Sequence, residues 1–250
     1  MNENFLSVRL ADTIMKRYPN PDTYPFKSWC YSQGFVLLGF CRLYQDTGNP
    51  IYRDYILRYV QRHVLEDGTI PRFHGDSLDD MLPGAVLVWA FRETGEAAYQ
   101  KACDAIYASL KNYPRNRKGG FWHNRIETPG EMWVDGVFME GIFLLSYAKE
   151  FPEYASDCYD ELANQLDCIF TLCHKWGGLL YHAHSENPAC GWAEPTTGHS
   201  SDVWSEGLGW YMMVLTHAVR ELPELHPGHR RLRSRLRELT DTLCTLHGSE

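Results

Sequence analysis

Gly84-Ala85-Val86-Leu87-Val88-Trp89-Ala90-Phe91, closed by Glu93-Thr94-Gly95 and followed by a second helical pattern from Tyr99 to Leu110, decides the fold. The first run is apolar on all sides, so it reads as a buried helix. The second run is amphipathic. The same order recurs. Gly34 opens Phe35 to Phe40, then come Asp46-Thr47-Gly48 and Ile51 to Val64. Gly136 opens Val137 to Lys149, then come Phe151-Pro152 and Tyr154 to Cys173. Gly207 opens Leu208 to Glu221, then come a Pro-rich link and His229 to Leu246. These glycines are 50, 52 and 71 residues apart.

Each unit is therefore a helical hairpin. The first helix should be buried all round. The second should show solvent a charged face, which in the first unit is Arg53, Asp54, Arg58, Gln61 and Arg62. Stacked hairpins with buried first helices imply an all-α toroid rather than an open solenoid. With one N-terminal helix over about 4–17, roughly nine helices are expected. Residues 1–250 read as one domain. A short paired strand fits the loops at 119–123 or 178–182. Ser77-Leu78-Asp79-Asp80 resembles a capping box, and Ser200-Ser201-Asp202 is a candidate cap for the helix carrying Trp210.

The glycine-bearing links after the second helices lead to aromatic or His-bearing segments. These are Arg72-Phe73-His74, Phe121-Trp122-His123 and Tyr181-His182-Ala183-His184. Loops gathered at one end of such a fold build its site. The densest stretch is Gly119-Gly120-Phe121-Trp122-His123, followed by Met132-Trp133-Val134-Asp135-Gly136. An acid framed by indole rings suits sugar chemistry. Ring faces stack on pyranoses, and a partly dry carboxyl group is a better proton donor. The alternative is a surface acid beside core aromatics.

Composition narrows the partners. The net charge of −8 argues against a nucleic acid, which needs a basic face. It leaves room for a small anionic oligosaccharide. No stretch approaches the roughly 18 apolar residues of a membrane span. MNENFLSVRL has no basic region followed by an apolar run, so no secretory leader is read and the cytoplasm is the default. The eight cysteines form no CxxC, and they read as reduced thiols rather than a disulfide framework or metal set.

Five motifs carry a resemblance. They are Leu78-Asp79-Asp80-Met81-Leu82-Pro83-Gly84, Gly119 to His123, Met132 to Gly136, Leu180-Tyr181-His182-Ala183, and Trp204-Ser205-Glu206-Gly207-Leu208-Gly209-Trp210. In this order and spacing the chain resembles glycoside hydrolase family 105, the unsaturated rhamnogalacturonyl hydrolases, and more distantly family 88, the unsaturated glucuronyl hydrolases. The resemblance implies an (α/α)6 barrel. It also implies a hydrolase that removes a 4,5-unsaturated uronic acid from the non-reducing end of lyase-generated oligosaccharides. That enzyme hydrates the C4=C5 bond rather than attacking the anomeric carbon, and it uses no metal or cofactor.

By motif, Asp135 takes the place of the proton donor and base, and Asp79 that of the second acid. His182 matches the histidine that helps place substrate or water. Trp133, Trp204 and Trp210 match aromatic walls, and His123 a cleft residue. Tyr31 is added by position, before the first buried helix. Alternatives stay open at this point. Asp79 could be a helix cap with Asp80 the acid, His184 competes with His182, and Trp204 or Trp210 could be core.

Two departures stand out. Glu206 occupies a position where family members usually carry Arg, which leaves Arg125 or Arg72 to meet the uronate carboxylate. The chain is also shorter than the family pattern, as if hairpins were missing at its C-terminus, which raises a homo-oligomer as one way to cover exposed faces. Two other readings compete with hydration. One is a non-catalytic carbohydrate-binding relative. The other is an inverting glycosidase, whose carboxyl groups would stand roughly 6.5–9.5 Å apart.

Overall fold

A computed structural model describes residues 5–23 and 29–247. Residues 1–4, on which part of the stretch read for a leader and the start of the first expected helix fall, lie outside the described residues, as do 24–28 and 248–250. Nine α-helices run through the described residues. They are α1 (Leu6–Arg17), α2 (Tyr31–Thr47), α3 (Pro50–His63), α4 (Leu82–Thr94), α5 (Ala97–Lys111), α6 (Val134–Glu150), α7 (Ala155–Cys173), α8 (Ser205–Glu221) and α9 (His229–His247). Two strands, β1 (Glu131–Trp133) and β2 (Ala183–Ser185), complete the regular structure. No described helix is long and apolar enough to cross a membrane.

Within residues 1–250 the contacts gather into two compact units. The first comprises Met1–Gly75 and Asp79–Lys111. There α2 packs against α3 and α4, and α4 against α5. The second comprises Asp76–Leu78 and Asn112–Glu250. There α6 packs against α7 and α8, and α8 against α9.

The hairpin turns follow their sequence signals. Gly48 and Gly95 end α2 and α4 in the left-handed region, at φ 66° and 70°, and return their N–H groups to Tyr44 and Phe91. A left-handed terminal residue costs little only for glycine. Asn49 then caps α3, accepting from the Ile51 N–H at 3.2 Å, with Pro50 at the first helical position. On α3, Tyr52, Tyr55, Ile56, Tyr59 and Val60 are buried while Asp54, Arg58, Gln61 and Arg62 are exposed, the division expected of an amphipathic second helix.

The first helices differ among themselves. Leu82 to Ala90 of α4 and Val134 to Leu145 of α6 are buried without a break. In α2 and α8 one side is open instead, at Phe35, Gly39 and Arg42 and at Gly209 and Met213. Polar and glycine positions recur there at helical spacing, so neither helix is apolar on every face.

Both expected caps are corrected. Leu78–Asp80 forms a short 3-10 turn, and α4 starts only at Leu82, with Met81 before it and Pro83 in its first turn. Helix α8 starts at Ser205 behind Trp204, with no side-chain cap. The Asp202 carbonyl instead accepts the His182 N–H at 3.0 Å. The strand pair also falls beyond the stretches expected for it. Phe121 and Leu180 make only isolated bridges, with Arg115 and His174.

All eight cysteines are thiols, six of them buried. Burial holds the Cys41 and Cys173 thiols far above their ordinary range, so they stay protonated.

Candidate active site

The second unit builds its site around a three-residue ribbon. Strands β1 and β2 are antiparallel, with Glu131 opposite Ser185, Met132 opposite His184 and Trp133 opposite Ala183. The ladder continues past the strand end, where the Val134 N–H donates to the His182 carbonyl at 3.0 Å. Asp135, in the first turn of α6, therefore lies beside His182. A third segment joins through the His123 N–H, which donates to the Glu131 carbonyl at 2.7 Å, while the His123 carbonyl accepts from the Leu78 N–H at 3.0 Å.

These backbone bonds set the side chains. Asp135 Oδ2 is 3.5 Å from His182 Nδ1, with the two side chains 12% and 23% exposed. That is contact, but longer than the 2.7–2.9 Å of a closed charge-assisted bond (~). The Trp133 indole lies flat on the His123 imidazole, with centroids 4.4 Å apart and planes at 4°. It tilts against His182 at 5.6 Å and 57°. Trp204 stands perpendicular to the His182 ring, at 4.9 Å and 89°, and is 44% exposed. Four rings and one acid thus form a continuous cluster, with one indole open to solvent.

Two glycines permit this approach. A Cβ on Gly136 would stand 3.2 Å from His123 Nδ1 and 2.7 Å from Leu78 Cδ1. A Cβ on Gly207 would stand 3.0 Å from His182 Nδ1. The first turns of α6 and α8 are bare where the imidazoles rest on them.

The electrostatics differ along the cluster. Burial pushes the His123 pKa down to about 4, against a smaller upward pull from Asp135, and the imidazole is neutral near pH 7. His184, which competed for the role of His182, is half-buried near His199, with ring centroids 6.1 Å apart. Burial and then His199 lower its pKa. It is His182 that touches Asp135.

The other expected site residues have surroundings of their own. Trp210 is 8% exposed and packs on Phe138 at 4.7 Å, as a core side chain. Arg125 is part-exposed, 3.9 Å from the Asp76 carboxylate, with its guanidinium 5.1 Å from the Tyr113 ring centroid. Glu206 is exposed in the first turn of α8, where a helix dipole favours an anion. Asp79 and Tyr31 belong to the first unit. Asp79 lies in the Leu78–Asp80 turn and Tyr31 is the first residue of α2, both part-buried. Beside them, Trp29 donates its indole N–H to the Asp80 carbonyl at 3.0 Å. Arg72 is exposed in the same unit.

Glu131 is the residue the sequence reading passed over. Its carboxylate accepts the Trp133 indole N–H at 2.8 Å. Residues two apart on a strand share a face, but the sequence did not mark 131–133 as a strand. Among the described residues, no group of three or more His, Cys, Asp and Glu is placed to hold a metal ion.

Comparison with known proteins agrees with this architecture. A glycoside hydrolase of family 105 from C. acetobutylicum superposes with a TM-score of 0.87 at 29% identity, over 96% of this chain and 66% of its own. A possible family 105 member from Klebsiella pneumoniae gives 0.71 at 23% identity, over 87% of this chain and 55% of its own. The unsaturated glucuronyl hydrolase of a Bacillus species, described as responsible for degradation of glycosaminoglycan, gives 0.69 at 16% identity, over 93% and 66%. These are six-hairpin glycosidases, the all-α fold class expected from the fifty-residue repeat. The chain spans about two-thirds of their length or less.

Two curated proteins are each 31% identical over 80 residues, 32% of this chain and 34% of theirs. One is from Agrobacterium fabrum, and the other is the 24.9 kDa protein in the picA locus of Rhizobium radiobacter. The profile of Glycosyl Hydrolase Family 88 matches residues 6–250, nearly the whole sequence, and the chain belongs to that family.

Proposed function

We propose that this chain hydrolyses oligosaccharides ending in a 4,5-unsaturated uronic acid, of the unsaturated rhamnogalacturonyl type. The observation that carries the reading is the pairing of Asp135 with His182 at 3.5 Å among stacked rings, within a family 88 chain. Asp135 as the acid gives its proton to C4 of the enol ether. A water adds at C5 and returns a proton to the Asp135 carboxylate. The resulting hemiketal opens, and the neighbouring sugar leaves. The acid ends the cycle as it began.

The surroundings support each part. His182 can accept or donate at the atom facing Asp135, which suits it to orient the water. His123, neutral near pH 7, adds no charge beside the acid. Trp204, 44% exposed, is an aromatic ring within reach of a sugar. Asp79 is the proposed second acid, and Arg125 the proposed partner of the substrate carboxylate.

Ultraviolet absorbance of an unsaturated uronyl-rhamnose disaccharide tests the proposal, with Asp135→Asn as control. Loss of absorbance with the native chain alone supports it. A folded native chain that leaves the double bond intact overturns it. Sugar release from the saturated analogue points instead to an inverting glycosidase.

A further inference from the structure

We propose that Glu131 is a positioning residue that acts through Trp133; the inference rests on the functional reading above. Glu131 is 9% exposed, and both of its carboxylate oxygens are engaged. Oε2 accepts the Trp133 indole N–H at 2.8 Å, and Oε1 accepts the Cys190 thiol at 3.4 Å. An indole nitrogen only donates, so the carboxylate is its acceptor. The same residue's backbone carbonyl accepts the His123 N–H at 2.7 Å.

One residue thus holds both members of the stack, His123 by its backbone and Trp133 by its side chain. The geometry is correspondingly tight, with planes 4° from parallel. An aromatic ring turns broadly about its outer side-chain bond unless something fixes it. Here the carboxylate oxygen that accepts the indole N–H fixes the indole plane. That plane also bears on His182, 5.6 Å away, which in turn touches Asp135. Glu131 therefore sets the ring orientation on which the Asp135–His182 contact leans, without meeting the substrate.

Glutamine at 131 keeps the acceptor and removes the charge, whereas alanine removes both. Trp133→Phe keeps a ring and removes the donor. Steady-state kinetics on the unsaturated uronyl disaccharide, across pH, should find E131Q within about 3-fold of native in kcat/KM with an unchanged pH profile. E131A should lose about 10-fold or more, and much less when added to W133F, because both remove one bond.

If E131Q is as poor as Asp135→Asn or shifts the pH profile, charge or proton transfer at Glu131 is what matters, and positioning is overturned. Multiplying losses for E131A and W133F overturn it equally. The indole N–H resonance of Trp133, identified by its absence in W133F, decides the case without turnover. It should move in E131A and stay near its native position in E131Q. An unmoved resonance in E131A refutes the anchor. An inactive native chain, by contrast, refutes only the functional reading.

Discussion

His123 is a built-in acid sensitivity, and its size can be worked out. Burial lowers its pKa from 6.5 to about 4. A folded-state pKa below the unfolded one means that the unfolded chain binds the proton first as pH falls. The stabilising contribution is complete above pH 6.5 and is lost progressively as pH falls toward 4. The difference between 6.5 and about 4, at about 1.4 kcal/mol per pH unit, amounts to roughly 3 kcal/mol. The steepest dependence for one proton is about 1.4 kcal/mol per pH unit.

Urea unfolding of the native chain and His123→Gln, from pH 7 to pH 4, isolates this contribution. Burial also lowers the pKa of His63 and His184, but both remain in the variant and cancel in the comparison. The native chain should lose about 3 kcal/mol more than the variant over that range. Parallel curves, within about 0.5 kcal/mol at every pH, would refute the reasoning, since a buried imidazole that protonates freely cannot be tightly packed.

Gly207→Ala places a methyl group against His182, so kcat should fall about 10-fold or more while urea stability changes by less than about 1 kcal/mol; equal loss in both would refute a local effect. Glu140 is fully buried, and burial, then the nearby Glu161 carboxylate, hold its pKa well above the ordinary carboxyl value. Its proton is retained on folding, so stability should decline as pH rises above 4.5, and Glu140→Gln should remove that part of the decline; unchanged pH dependence would count against it. Trp210→Ala should cost about 3–5 kcal/mol of stability. Trp204→Ala should cost far less stability but weaken binding of the disaccharide by titration calorimetry, and a reversed ranking would mean the two roles are misassigned.

The helices were legible because their signals are local and repeated. Asp46-Thr47-Gly48 and Glu93-Thr94-Gly95 mark the same turn for the same reason, and Asn49-Pro50 starts the next helix. The 3-10 turn at Leu78–Asp80 was less so. Its Ser-x-x-Asp spacing mimics a cap, but α4 begins two residues beyond it, behind Met81. Trp204 and Trp210, six residues apart, face different directions, one at a helix entrance and one in the core, and composition cannot separate them. Asp135 and His182 were legible as motif members. Their contact was not, because it depends on a pairing of segments some fifty residues apart. Glu131 was missed because nothing in the resemblance pointed to it, and its partner is known only once β1 is seen as a strand.

The ribbon of β1 and β2 has only three residue pairs, yet Trp133, Asp135 and His182 take their places from it. Its hydrogen bonds sit in loops, outside the helical ladders that hold most of the backbone. Such short segments open far more often than whole domains unfold. Working competence and structural integrity can therefore part company, since a solution in which the ribbon has frayed would retain full helicity and no assembled acid–imidazole contact. Amide exchange at Val134, held across the ribbon by His182, and at His123 and Ser185, which tie its two strands to neighbouring segments through Glu131 and Gly198, would follow that fraction. A temperature at which those amides lose protection while α6 keeps its own would mark the upper limit for function, below the melting point.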